Sequence, residues 1–157
     1  MDSPCSLRPA TADDLDRVLE IENHVHLAPW TREHFLAELD KTFSTFWVLT
    51  DDETDLEIAG YLVFWTVFEE SQILNVVVAP EFRSQGYARK MIRRLVDVAM
   101  KRELKRVSLD VRKSNLPAIQ LYQALEFNIT HVHKAFYSNG EDAYQMTLFL
   151  APDTPRF

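Results

Sequence analysis

A single cysteine, Cys5, stands in the whole 157-residue chain. An intrachain disulfide is therefore excluded, and so is a cysteine-rich metal site. This usage fits a reducing compartment. Glycine is nearly as scarce, with only Gly60, Gly86 and Gly140. No run of about 18 apolar residues occurs, so no membrane span is expected. The chain does not open on a basic segment followed by an apolar one, so no signal peptide is expected. The resulting expectation is a cytoplasmic protein. No nucleic-acid motif is present. The five histidines show no metal-ligand spacing, and His131-x-His133, on one face of an edge hairpin, reads as a solvated pair.

What is present is an ordinary globular composition. A chain this long buries roughly 68–70% of its unfolded surface, enough for a core without staples. One domain is expected over 1–157, with 151–157 as a loose tail. The formal net charge is −7, unevenly placed. Residues 1–82 carry 4 Lys+Arg against 17 Asp+Glu, and residues 83–157 carry 13 against 7. The first part could face a cationic partner and the second a polyanion. Both could equally be solvated surface.

Hydrophobic periodicity divides the chain into short elements. A first strand is expected at 5–9. Thr11 then caps a helix reaching about His24, with Leu15, Val18, Leu19 and Glu22 on its buried face. Thr31 caps a second short helix after the break at His26, Leu27, Ala28, Pro29 and Trp30. Strands follow at 43–49, 58–68 and 72–78, with an acid-dense turn at 51–55. A helix over 85–102 carries Ala88, Met91, Ile92, Leu95, Val96 and Ala99 as one apolar stripe. A strand at 106–111 follows, so strand, helix and strand imply a right-handed parallel crossover. Pro117 opens a short helix as its first residue. Segments 128–134 and 142–150 read as an antiparallel pair.

The stretch from Val76 to Ala88 organises this pattern. A β-branched run feeds a helix through a polar loop with one glycine. Unpaired N–H groups and the helix dipole make such an entrance an anion site of main chain. Gly86 stands where a ligand could approach the backbone closely.

With Arg83-x-x-Gly86-x-Ala88 after the fourth strand, this element order resembles the GCN5-related N-acetyltransferase (GNAT) superfamily. Further matches point to its ribosomal-protein-alanine N-acetyltransferases, the RimI family. They are Leu74-Asn75-Val76-Val77-Val78, Leu109-Asp110-Val111-Arg112-Lys113-Ser114-Asn115, Ala118-Ile119-Gln120-Leu121-Tyr122, Leu125-Glu126-Phe127, the Pro29-Trp30 loop, and Phe136-Tyr137 with Gly140-Glu141-Asp142-Ala143. The resemblance spans about residues 6–150. It implies an α/β fold of the α+β type. A mixed sheet of about seven strands, splayed between the fourth and fifth, would carry about four helices.

The same resemblance implies the site. The main chain of Val76, Val77 and Val78 pairs with the pantetheine of acetyl-CoA as an added strand. A backbone N–H near Val78 polarises the thioester carbonyl. Ser84, Gln85, Gly86, Tyr87, Ala88 and Arg89 hold the pyrophosphate, with Arg83, Arg89 and Lys90 as candidates for added charge. Asp110 stands where the family has a glutamate base. A carboxylate in an otherwise apolar strand is costly without partners or a task. Being one methylene shorter, it favours a bridging water; a structural aspartate is the other reading. Tyr122 takes the place of the acid that protonates the CoA sulfur, against a plain core tyrosine. Asn115 is a contact to the CoA arm, or only a helix cap. Pro29, Trp30 and Tyr137 would flank the acceptor.

Glu126 departs from the family's Leu-Gly-Phe. Either a left-handed backbone is strained there, or the helix ends differently. The expected activity is direct transfer from acetyl-CoA to a protein N-terminal α-amine, that of an N-terminal alanine on a small-subunit ribosomal protein. A basic protein N-terminus is the expected partner, with no metal, nucleic acid or membrane, acting as monomer or weak dimer. The rivals are a lysine or small-amine acetyltransferase, and a catalytically silent acyl-CoA-binding module.

Overall fold

Apolar stripes and β-branched runs become eleven elements: β1 (Cys5–Pro9), α1 (Leu15–Val25), α2 (Arg32–Asp40), β2 (Ser44–Asp51), β3 (Glu57–Val67), β4 (Glu70–Val78), α3 (Tyr87–Lys101), β5 (Arg106–Arg112), α4 (Leu116–Ala124), β6 (Asn128–His133) and β7 (Ala143–Phe149). The structure, a computed structural model, describes residues 4–54 and 56–150. The tail expected at 151–157 lies outside them. Short 3-10 turns stand at Ala12–Asp14, Asp52–Thr54 and Pro80–Phe82.

The strands form one mixed sheet in the order β1-β2-β3-β4-β5-β7-β6. Pairs β1–β2, β2–β3, β5–β7 and β6–β7 are antiparallel, while β4–β5 is parallel, with α3 as its crossover. The expected α/β architecture is the observed one.

Two compact units divide the described chain. One comprises the residues up to Trp65 together with Asn75–Arg94. Its core gathers Leu15, Val18 and Ile21 of α1 with Phe35, Phe46 and Tyr61. The Phe35 ring lies 5.5 Å from Phe46 and edge-on to Tyr61 at 5.9 Å. Gly60 is needed here for space. A Cβ on it would stand 2.6 Å from the carbonyl oxygen of Val77 on β4.

The other unit comprises Thr66–Leu74 and the residues from Leu95 onward. Val107, Leu109 and Val111 of β5 are buried beside Met146 of β7, the Leu109 partner in register. Two helices end here on the same device. The N–H of Leu104 donates to Ala99 and that of Glu103 to Met100; likewise Phe127 donates to Tyr122 and Glu126 to Gln123. These are Schellman caps, whose turning residue is left-handed and usually glycine. Glu103 (φ +59°) and Glu126 (φ +73°) occupy those positions. Of the two readings of Glu126, the strained left-handed one holds. Helix boundaries also shift slightly. α3 starts at Tyr87 rather than 85, and Pro117 is the second residue of α4, because Asn115 is the cap.

Candidate functional site

In the first unit, β4 supplies an open main-chain edge. Its ladder with β5 covers Glu70–Arg106 to Ile73–Leu109 and stops. Along 76–78 side chains alternate, with Val77 buried and Val76 and Val78 half-exposed. Main chain thus remains for a ligand while a side chain holds the core. After the Pro80–Phe82 turn, Ser84 (φ +67°) and Gly86 (φ +78°) are both left-handed. No atom lies within 4 Å of a Cβ built on Gly86, so its requirement is conformational.

The Tyr87 side chain faces inward, fully buried, and its hydroxyl donates to Asp51 at 2.7 Å. Any part of Tyr87 in holding an anion is therefore played by main chain. Hydrogen bonds from Tyr87 and then Thr54 hold the Asp51 carboxyl below the usual aspartate range. The acid-dense turn gave no sign in the sequence that Asp51 anchors the start of α3. Arg83 is exposed, and Arg89 is partly exposed. Lys90 Nζ lies 3.6 Å from Cys5 Sγ and over the Tyr87 ring.

The Pro29–Trp30 loop belongs to the same unit. Pro29 is exposed and Trp30 half-buried against Phe35 (5.2 Å) and His34 (5.5 Å). The loop is tied down by Glu22, a carboxylate that is 1% exposed. Glu22 accepts from the Tyr61 hydroxyl (2.5 Å), the Asn75 amide (3.0 Å) and the Trp30 backbone N–H (3.0 Å). Burial, then the Glu22 charge, pushes the Tyr61 phenol far up. His26 Nε2 lies 3.2 Å from Asn75 Oδ1 and 3.7 Å from Glu22. No role for Glu22, Tyr61, Asn75 or His26 followed from the sequence. Glu22 left one signal, an acid on the apolar stripe of α1.

In the second unit, Asp110 sits on β5 with one carboxylate oxygen, Oδ1, buried and without a hydrogen-bond partner among the described residues. His133 Nε2 is 3.6 Å away, too far for a hydrogen bond. Burial raises the Asp110 pKa above the ordinary value, and His133 pulls it partly back. His133 is thus more than one half of a solvated histidine pair.

Tyr122 is 7% exposed, and its phenol is pushed up to about 12 by burial and then by Tyr137. Its ring packs against Phe127 at 6.1 Å, the hydrophobic contact that accompanies a Schellman cap. Asn115 accepts from the Ala118 N–H at 3.3 Å, which makes it the cap of α4. Tyr137 is held by Arg112, whose guanidinium lies 3.9 Å over the ring. Arg112 also reaches Glu141 at 3.3 Å, and Glu141 accepts from the Ser114 N–H at 2.8 Å. Hydrogen bonds from Ser114 hold Glu141 below the usual glutamate range. Each unit therefore assembles part of the expected site set. Strand edge, loop and Pro29–Trp30 belong to the first; Asp110, Tyr122, Asn115 and Tyr137 belong to the second.

Comparison with known proteins identifies the family. The model of the acetyltransferase (GNAT) family matches residues 15–127. The [ribosomal protein bS18]-alanine N-acetyltransferase of Haemophilus ducreyi is 30% identical over 141 residues, covering 87% of this chain and 94% of its own. A Bacillus subtilis protein bearing that name in provisional form is 34% identical over 148 residues, covering 93% and 96%. The crystal structure of the ribosomal-protein-S18-alanine N-acetyltransferase from Escherichia coli superposes with TM-score 0.85 at 28% identity, covering 98% of this chain and all of that one.

Proposed function

The chain belongs to the acetyltransferase (GNAT) family and is an acetyl-CoA-dependent N-acetyltransferase; from that premise we propose that its acceptor is a protein N-terminal α-amine, that of an N-terminal alanine on a small-subunit ribosomal protein. The names of the similar enzymes from Haemophilus ducreyi and Escherichia coli support this acceptor. The amine itself supports it too. An α-amine with pKa ~7.8 costs about 1 kcal/mol to neutralise at pH 7, against about 4.6 kcal/mol for a lysine near ~10.4. A shortened base suffices for the first.

Acetyl-CoA supplies the activated acetyl group. The main chain of 76–78 binds its pantetheine, and the loop of Arg83, Ser84, Gln85, Gly86, Tyr87, Ala88 and Arg89 binds its pyrophosphate. Asn115 adds a contact to the CoA arm. Pro29, Trp30 and Tyr137 orient the acceptor. Asp110 takes the proton that the nitrogen releases as it attacks, through a water because aspartate is short. Tyr122 gives its proton to the departing sulfur. No cysteine nucleophile takes part, so the transfer is direct.

The observation that carries this reading is the buried Oδ1 of Asp110, which accepts no hydrogen bond among the described residues. An acceptor left without a donor in a half-buried strand costs stability unless a proton or a water is to reach it. The test is mass spectrometry of a ribosomal-protein mixture incubated with enzyme and acetyl-CoA. One small-subunit protein acetylated at its N-terminal alanine is the expected result. Acetylation confined to lysine side chains would refute the assignment.

A further inference from the structure

Hydrogen-bond logic around Glu22 determines the state of His26. A carboxylate only accepts, so Asn75 must turn its Nδ2 toward Glu22 (3.0 Å). Its Oδ1 then faces His26 Nε2 at 3.2 Å. An amide oxygen also only accepts, so Nε2 carries a proton. In the neutral ring the lone pair therefore lies on Nδ1, which has no partner among the described residues. The His26 side chain is 40% exposed. The His26 backbone caps the C-terminus of α1, its main-chain N–H donating to the Glu22 carbonyl at 3.1 Å. The Glu22 carboxylate lies 3.7 Å from Nε2. The same carboxylate holds the Trp30 N–H, so imidazole and acceptor loop share one anchor.

The chemistry calls for such a group. An α-ammonium must lose two protons to become an amide nitrogen. One leaves before attack and one during it, and Asp110 accounts for the second alone. We propose that His26 Nδ1 accepts the first proton, from the acceptor's α-ammonium, with Asn75 and Glu22 as its positioning residues. The N–H bond of the ammonium breaks and the Nδ1–H bond forms. The electron pair stays on the acceptor nitrogen, and the positive charge passes to the imidazolium, which later releases the proton to solvent. This rests on the α-amine reading of the acceptor. The groups facing His26 are Glu22 on its own helix, the neutral amide of Asn75 on β4 and, across the shared carboxylate, Tyr61 on β3.

The test is the pH profile of kcat/KM for wild type and His26→Gln, with a lysine-free peptide that begins with alanine. Glutamine keeps a donor for Asn75 and cannot take the proton. His26→Gln should lose about sevenfold at pH 7, the inverse of the neutral fraction of an amine with pKa ~7.8, and less than about twofold at pH 9. Acetyl-CoA affinity and thermal midpoint should match wild type. A loss equal at both pH values, or none at either, overturns the role of His26 while leaving the acceptor reading intact. A wild-type enzyme that leaves the peptide unmodified overturns both.

Discussion

Burial shifts Asp110 and Tyr122 in the same direction, toward holding their protons, while the roles proposed for them are opposite. Burial raises the Tyr122 phenol to about 12, so it is protonated at any pH at which the enzyme works and can serve as an acid. Tyr122→Phe should lower kcat by roughly 10²–10⁴ with acetyl-CoA affinity unchanged, read by steady-state kinetics and calorimetry. An unchanged kcat would remove Tyr122 from the chemistry. For Asp110 the shift has the same sign, and it falls in a range that bears on stability at working pH. Its folded pKa is raised, so the folded state holds its proton more tightly than the unfolded chain does. Stability therefore falls as pH rises from the unfolded value of ~3.9 through the raised one. Asp110→Asn should raise the thermal midpoint at pH 8 and leave it nearly unchanged at pH 3, while activity drops sharply. Glu126 tests backbone strain alone. It is exposed at φ +73°, so Glu126→Gly should stabilise by about 1–2 kcal/mol in a denaturant titration.

At the scale of elements, β4 carries two duties. It pairs with β5 only as far as Ile73, and its continuation is shaped by Gly60 behind it. A methyl placed 2.6 Å from the Val77 carbonyl must push β4 aside. Gly60→Ala should cost about 1–3 kcal/mol of stability and raise KM for acetyl-CoA more than KM for the acceptor peptide. Most elements were legible from the sequence because their periodicity is plain. The α3 stripe and the alternation in β5 located both elements to within two residues. The misses lie at ends, where capping decides. Pro117 suits either the first or second position of a helix, and only the bond from Ala118 to Asn115 settles it. Gly60 was unreadable because its constraint comes from a strand seventeen positions away in the chain.

For the whole molecule, charge is the property that reaches furthest. Residues 1–82 hold 17 acids against 4 bases, which suits a basic N-terminal segment as acceptor. KM for a basic acceptor peptide should rise as salt passes about 0.15 M, more steeply than for an uncharged one. The residues proposed for the site were nameable from the sequence where a motif contains them, as at Asp110, Tyr122 and the Gly86 loop. The cluster around Glu22 was illegible because its partners lie far apart in sequence. Glu22, Tyr61 and Asn75 are unremarkable singly, and only folding brings them onto one carboxylate. The acceptor's identity remains the central claim, and one experiment addresses it directly. Enzyme and acetyl-CoA are incubated with two peptides, one beginning with alanine and lacking lysine, the other α-blocked with a single lysine, and each product is located by fragmentation mass spectrometry. One acetyl group on the alanine nitrogen, with the blocked peptide untouched, is the predicted result; acetyl on the lysine of the blocked peptide alone would contradict it.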